Sequence, residues 1–297
     1  MSANKRKNLN AMEEDLESGS DSETSSDNED DGPHPEAYTG NEEVQIDFEG
    51  RSPTDPDCHG ISQLLQRVFL KAHINTMQMA DMIIAQNFVG SVICQCEADG
   101  MESDADDDMC EDGTIFGITT ALNITAKKDV PCVEQFRSFI VQKAEKYAPD
   151  AVLKHFRDVL GNEARPIGYL INERFINIPA QISVPLLENL YKEINAAKQK
   201  GMPFNFVYFL MVIKFYRKEA KKGKPREDTY TNAEEELIAE KAVNSFEYSV
   251  ADECDMGMSG DWLEGDATLT PFRKVVLFDA KNLPELIFDI QKYVNGQ

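Results

Sequence analysis

Residues 204–216 read FNFVYFLMVIKFY and give the strongest strand signal in the chain. Aromatic and β-branched side chains dominate this stretch, and such side chains favour a pleated, half-buried backbone. A membrane helix needs about 20 consecutive apolar residues, whereas this run contains Asn205 near its start and Lys214 near its end. The stretch therefore predicts a strand in a soluble chain.

Six further strands and seven helices are predicted on either side of this strand. Apolar residues three and four apart mark the helices, as at Ile61, Leu65 and Val68. Thr76 and Ser183 are expected to cap the helices that they precede. The strands are predicted at 44–48, 88–95, 115–122, 167–171, 243–250 and 272–278, and the helices at 61–69, 76–87, 131–147, 149–161, 183–200, 231–240 and 284–294.

Strands interleaved with helices indicate an α/β fold. We predict a single domain over residues 43–297, with a mixed seven-stranded sheet flanked by helices. This part of the chain has no internal repeat and no linker rich in Pro and Gly that would divide it.

Residues 1–42 are predicted to form a disordered, acidic, Ser-rich tail. From Glu13 to Asp31 there are ten acids, no Lys or Arg, and only Leu16 as a large apolar side chain, too little to offset the entropy of ordering. Several hydroxyls precede an acid by three residues, the pattern of acid-directed kinases. The phosphorylation candidates are Ser18, Ser20, Ser22, Thr24, Ser25 and Ser26. The alternative is a solvated tail that only aids solubility.

The net charge of −23, from 30 basic and 53 acidic residues, restricts the partners. A surface this acidic repels nucleic-acid phosphates, so we expect no direct binding of nucleic acid. It attracts basic proteins and speeds their encounter with the chain. We expect protein partners and no membrane contact.

Two acidic loops interrupt the predicted strands. Residues 97–112 hold nine acids and no Lys or Arg, and their partner-binding candidates are Asp104, Asp106, Asp107 and Asp108. The spacing of these Asp residues resembles a calcium loop, but Met109 and Ile115 replace the glycine and the bidentate acid that an EF-hand requires. The loop at 252–266 contains Trp262, the only tryptophan, as either a buried anchor or an exposed hot spot.

The basic stretch 214–226 holds seven Lys or Arg and only Glu219 as an acid. It is interpreted either as a solvated loop or as a nuclear import signal or contact for an acidic partner. Its acidic surroundings make the glycine cluster at 257–260 a poor phosphate loop.

We find no catalytic residue set and no metal or cofactor site in the sequence. The string from His155 to Asp158 faintly resembles a kinase catalytic loop, but its apolar spacing predicts a helix face. The six cysteines are expected to be reduced thiols, since no signal peptide precedes them. We therefore predict that the chain is not an enzyme.

Several strings resemble the BCCIP family. The clearest is LINERFINIP at 170–179, and NAEEE at 232–236 leading to FEYSV at 246–250 is similar to a second family stretch. Residues 87–93 with the acidic loop behind them, CVEQ at 132–135 and TPFR at 270–273 add to the resemblance. It covers about residues 44–295.

The resemblance implies a nuclear, non-enzymatic interaction protein that shuttles to the cytoplasm. Animal members are named for binding a recombination factor linked to breast-cancer susceptibility and a cyclin-dependent-kinase inhibitor, and they are associated with DNA repair, the cell cycle and microtubule organisation. Fungal relatives resemble chaperones of a basic large-subunit ribosomal protein in ribosome biogenesis. The family fold resembles GCN5-type acetyltransferases. Its cofactor motif is missing here, because the nearest match, Arg157 to Gly161 to Ala164, is too long and lies at a helix end.

Three functions are therefore considered. The first is a chaperone or adaptor whose acidic loops cover a basic ribosomal-protein client. The second is a scaffold for recombination and cell-cycle partners, which need not be basic. The third is a residual acetyltransferase, which the missing cofactor motif disfavours.

Overall fold

A computed structural model describes residues 47–95, 114–218, 225–254 and 269–296. The strands are β1 Phe48–Arg51, β2 Ser91–Gln95, β3 Gly117–Asn123, β4 Ile167–Arg174, β5 Tyr208–Lys218, β6 Glu227–Tyr230, β7 Asn244–Ser249 and β8 Leu269–Asp279. The helices are α1 Cys58–Phe69, α2 Thr76–Ala85, α3 Pro131–Tyr147, α4 Asp150–Gly161, α5 Ser183–Gln199, α6 Glu235–Glu240 and α7 Leu283–Val294.

The described strands form one mixed sheet in the order β1-β2-β3-β4-β5-β8-β7. The β4–β5 pair is parallel and the other pairs are antiparallel. The short strand β6 pairs with the C-terminal part of β5, on the same side as β4. The predicted mixed α/β fold is confirmed, with β6 as an eighth strand that the sequence analysis missed.

Helices cover both faces of the sheet, and β5 shows why its sequence is almost continuously apolar. Leu210 and Val212 pack on the side of α1 to α4. Phe209, Met211 and Ile213 pack on the side of α5 and α7. A strand buried on both faces needs apolar side chains at successive positions rather than at alternate ones.

Several element boundaries differ from the predicted ones. Phe204 and Phe206 precede β5 because their backbone N–H groups bond locally, to the carbonyls of Met202 and Phe204 at 2.7 and 3.0 Å. The predicted strand at 44–48 is represented by β1, which begins at Phe48. Residues 44–46 lie outside the described residues.

The caps of two helices were predicted one residue too late in the chain. Asn75, not Thr76, caps α2, because its side chain accepts from the backbone N–H of Gln78 at 3.0 Å. Ser183 is the first residue of α5, and its hydroxyl donates to the carbonyl of Ala180 at 2.7 Å. In both cases a hydroxyl residue inside the first turn was taken for the cap.

Candidate partner-binding surface

The strand register brings distant parts of the chain to one end of the sheet. Gly117 at the start of β3 pairs with Arg174 at the end of β4. Lys218 at the end of β5 pairs with Leu269 at the start of β8. Because β4 and β5 are parallel, their C-terminal ends lie together. The antiparallel neighbours β2 and β7 also finish at this end.

We call this the acidic end, because the two acidic segments leave the described chain and rejoin it here. Residues 96–113 connect β2 to β3 and carry nine acids, and residues 255–268 precede β8 and carry four; neither segment has a Lys or Arg. The starts of β3 and β8 are three strand spacings apart, at least about 14 Å. Two separate acidic segments are therefore attached within reach of one partner.

The residues predicted to act in binding and in phosphorylation lie outside the described residues. What the structure gives is the position of the strands that lead into them, including β1, which begins at the acidic end. The predicted binding and phosphorylation residues that lie outside the described part of the chain are Asp104, Asp106, Asp107, Asp108, Trp262, Ser18, Ser20, Ser22, Thr24, Ser25 and Ser26.

Strands β4 and β5 separate as they approach the acidic end. They pair only over 167–169 and 208–210. The space between their C-terminal halves is occupied by the segment before α6. The backbone N–H of Thr231 donates to the carbonyl of Lys214 at 3.0 Å, and Asn232 Nδ2 donates to the carbonyl of Asn172 at 3.0 Å. The chain itself thus bridges the two diverging strands.

Two buried ion pairs hold this bridge. Arg174 on β4 pairs through both guanidinium nitrogens with Glu234, its Nη2 lying 2.8 Å from Oε2. Lys214 on β5 pairs with Glu173. All four side chains are at most 10% exposed. Buried ion pairs need this kind of close, multiply bonded geometry to offset the loss of hydration. The predicted helix at 231–240 was wrong in its first four residues, because they form this bridge instead.

A third buried carboxyl, Glu235, lies beside the two pairs. Its Oε1 accepts from Asn172 and Asn232 at 3.2 and 2.8 Å. Burial, and then the negative charges of Glu173 and Glu234, raise its pKa well above the ordinary value. With Glu235 protonated, the two cations and two carboxylates of the cluster cancel. The two strings that carry the family resemblance, 170–179 and 232–236, meet in this buried cluster.

Exposed apolar side chains accompany the acidic attachments. Ile176, two residues beyond β4, is 80% exposed, and Tyr216 and Leu269 are 41% and 45% exposed. The β5–β8 register places Tyr216 and Leu269 diagonally across the pair, on the face of α1 to α4. Sequence reasoning assigned no role to these three residues. An isoleucine directly after a strand, within FINIP, was the available signal.

The basic stretch is not a uniform solvated loop, as one interpretation held. Residues 214–218 belong to β5, where Lys214 is buried against Glu173. Arg217 pairs with Asp228 and Glu247, both at 2.8 Å. The cations at 221, 222 and 224 lie outside the described residues. Lys214 and Arg217 of the basic stretch are therefore already paired with acids of the domain.

The described cysteines and the string at 155–158 have positions that agree with a structural role. Cys58, Cys94, Cys132 and Cys254 are free thiols, as expected, and burial raises the pKa of Cys58 to about 11. The string 155–158 lies on α4, as expected, and this helix ends at Gly161. None of the described helices is both long enough and apolar enough to cross a bilayer.

Comparisons with known proteins show which family the chain resembles. A family model described as BCCIP matches residues 43–249. A "Protein BCCIP homolog" of Drosophila melanogaster is 61% identical, covering 100% of both chains. The "BRCA2 and CDKN1A-interacting protein" of Homo sapiens is 36% identical over 86% of this chain and 82% of the human one. The fold resembles the crystal structure of BCP1 from Saccharomyces cerevisiae, with a TM-score of 0.56 and 18% identity over 89% of this chain and 96% of the yeast chain.

The described domain is a mixed α/β sheet protein whose acidic end combines apolar side chains with acidic attachments, an arrangement suited to binding other proteins. The chain belongs to the BCCIP family. The yeast structure supports the overall fold alone, and the likeness to GCN5-type acetyltransferases stays a prediction.

Proposed function

We propose that the chain is a non-enzymatic nuclear factor that binds a basic large-subunit ribosomal protein as its chaperone or adaptor. The observation that carries this proposal is the strand register, which attaches both acidic segments to the end of the sheet that exposes Ile176, Tyr216 and Leu269. A basic protein that lacks its ribosomal RNA needs carboxylates for its cationic face and cover for apolar side chains.

The energetics require both components. An exposed ion pair contributes only ~0.2–1 kcal/mol, so carboxylates alone would need to act in large numbers. Apolar anchors supply the larger single contributions at interfaces. Trp262, inside one of the acidic segments, remains our candidate for a further anchor. The segments' charge would mainly speed association, and salt would weaken this effect because screening acts over about 8 Å at physiological ionic strength.

We assign the tail at 1–42 to the same function, as a disordered segment whose phosphorylation adds negative charge. A nuclear location with shuttling to the cytoplasm follows from loading a ribosomal protein before assembly and export. Binding or transfer of acetyl groups is not part of the proposal, because the only near match to the cofactor motif ends α4 instead of starting a helix.

A scaffold for a recombination factor and a cyclin-dependent-kinase inhibitor is the second candidate function, with roles in DNA repair and microtubule organisation. It is favoured by the name of the human relative, which says that this relative interacts with BRCA2 and CDKN1A. A scaffold of this kind does not require a basic partner, so the two candidates differ in their dependence on charge.

The test is stopped-flow association of the chain with a basic large-subunit ribosomal protein at low and physiological salt. Replacing Asp104, Asp106, Asp107 and Asp108 with Asn and Ser should lower the on-rate by about tenfold at low salt without changing circular dichroism. The control neutralises four exposed acids of the helices, Asp150, Asp158, Glu236 and Glu240.

The control has the same net charge as the test variant and should bind almost as fast as the unmodified chain. Equal on-rates for the unmodified chain and the test variant at low salt would exclude the electrostatic mechanism. Recovery of recombination and cell-cycle proteins from nuclear extract without any ribosomal protein would then favour the scaffold.

A further inference from the structure

The opposite end of the sheet, where β5 begins, carries a continuous row of aromatic rings. The row runs from Phe278 and Phe209 in the core through Phe206 and Phe204 to Phe88, which is 42% exposed. Successive ring centroids lie 5.3–5.8 Å apart. We call this the aromatic end. Rings at this spacing are in direct contact, so the surface rings are backed by the core.

The backbone before β5 is fixed in place by buried groups. Asn123 at the end of β3 donates from Nδ2 to the carbonyl of Pro203, and its Oδ1 accepts from the backbone of Thr125 and Ala126 at 3.0 and 2.8 Å. The backbone N–H of Val207 donates to the carbonyl of Pro166 at 2.8 Å. The aromatic residues between these anchors are therefore presented in one conformation before any partner binds.

Gly168 on β4 makes room for this arrangement. A Cβ atom there would lie 2.7 Å from the ring of Phe209 and 3.2 Å from the ring of Phe206. A side chain at position 168 would therefore force the ring of Phe209 to move.

A cavity of about 210 Å³ opens beside the rings, between α5 and the start of α7. Phe204, Phe206 and Leu283 line its apolar wall, and Lys198 and Lys281 stand at its rim. None of the described residues lining it is acidic, although Asp279 lies beside it, 3.5 Å from the amine of Lys281, which is 80% exposed. The two other described cavities include Glu134 and Glu253 in one and Glu145 in the other.

The size of the cavity limits its occupant. Pockets for drug-sized ligands and cofactors span roughly 300–1,000 Å³, so this one suits a single large side chain. Lysines at the rim favour carboxylates beside that side chain. We propose that the aromatic end is a docking site for an acidic peptide segment of a partner protein, anchored by one aromatic or large aliphatic side chain.

This site differs from the acidic end in both place and charge. The two ends differ in their lining charge, and the lysines beside the cavity favour an acidic segment of another protein as its occupant. A partner that binds here leaves the acidic end free, and the chain can then connect an acidic protein to a basic one.

The test uses the full chain and a fluorescein-labelled peptide of eight residues in which one Phe is flanked by Asp and Glu. Fluorescence anisotropy should show saturable binding. The double variant K198E/K281E should weaken this binding by about tenfold, and the charge-matched double variant K71E/K154E, at two exposed sites outside the cavity, by less than about twofold. A peptide with Ser in place of Phe should bind at least about tenfold more weakly than the original.

Equal losses for K71E/K154E and K198E/K281E would overturn the proposal, since they would indicate attraction by overall charge. Equal binding of the Ser peptide and the Phe peptide would contradict the proposed anchor side chain. Failure of the full chain to bind the probe would also overturn it, including the case in which the chain's own tail fills the cavity. A concentration-dependent dimer that K198E/K281E dissociates would assign the surface to self-association instead.

Discussion

The acidic end and the aromatic end of the sheet are held together by different physical means. At the acidic end, β4 and β5 diverge, and two buried ion pairs with surrounding amides fill the gap. At the aromatic end, packed phenylalanine rings and one buried asparagine hold the segment before β5 against the sheet. The first end contains two buried ion pairs, whereas the described lining of the cavity at the second consists of apolar and uncharged polar side chains and two lysines.

This difference bears on what each end can bind. The described buried cations Arg174 and Lys214 are paired with buried carboxylates of the domain, Glu234 and Glu173. Under the proposed function, the carboxylates of the attached acidic segments bind the basic partner. The aromatic end offers apolar surface and lysines, which suit an acidic partner. One domain thus presents two surfaces of opposite preference at opposite ends of one sheet.

The largest expected effect is the loss of unfolding free energy when a buried ion pair at the acidic end is broken. Arg174→Met removes one partner of a buried ion pair and leaves Glu234 uncompensated, which costs about 3–5 kcal/mol. Arg157→Met is the control, because Arg157 and Glu145 form an exposed pair with side chains about half accessible, worth at most ~1 kcal/mol. Urea unfolding gives both values. Equal losses would mean that the buried cluster contributes nothing beyond a surface pair.

The second prediction concerns space at the aromatic end. Gly168→Ala places a methyl group against Phe209 and should lower the free energy of unfolding by about 1–3 kcal/mol. It should also displace Phe206 and weaken binding of the acidic peptide probe. Binding of the basic client should be retained. Gly161→Ala on α4 is the matched control, because nothing lies within 4 Å of its added methyl group. A Gly168→Ala protein as stable as the control would show that the rings can shift without cost.

The third prediction tests whether each end serves its own partner. Ile176→Ser should weaken the basic client by about 1–2 kcal/mol, as loss of an interface anchor does, and change stability by less than about 0.5 kcal/mol because Ile176 is exposed. Phe88→Ser at the aromatic end should leave the client's affinity unchanged and weaken the acidic probe. Isothermal titration measures both affinities. If the two substitutions weaken the same partner equally, the division of labour between the ends is wrong.

The smallest effect is a pH dependence from the acidic end. Burial beside Glu173 and Glu234 raises the pKa of Glu235 above 4.5, so the folded chain keeps a proton that the unfolded chain releases. The stability from this group is complete below pH 4.5 and declines as the pH rises toward the raised value. Glu235→Gln cannot titrate and should therefore gain stability relative to the unmodified chain as the pH increases.

Urea unfolding at about pH 5 and about pH 8 measures this gain, with Glu236→Gln on the exposed side of α6 as the control. A constant difference between Glu235→Gln and the unmodified chain at both pH values would contradict a raised pKa of Glu235 in the folded chain.

The sequence alone determined most of the elements of this protein. Apolar spacing located α1, α3 and α4, and aromatic and branched runs located β5, β7 and β8, because local periodicity records which side chains face a core. Composition located the acidic segments, and strings such as LINERFINIP at 170–179 indicated the family. Short elements escaped: β6, with the sequence EDTY, has no apolar alternation and exists because β5 offers it a pairing edge.

Tertiary structure alone decided which residues meet. Asn172 and Asn232 are 60 residues apart in the chain, and no local pattern states that they bond. Lys214 and Glu173 read as ordinary surface charges until strand pairing buries them against each other. Phe204 and Phe206 read as part of a strand until Asn123 holds their backbone in a turn. The register of distant strands, set by long-range contacts, therefore determines both ends of the sheet, whereas local sequence sets only the strands that form them.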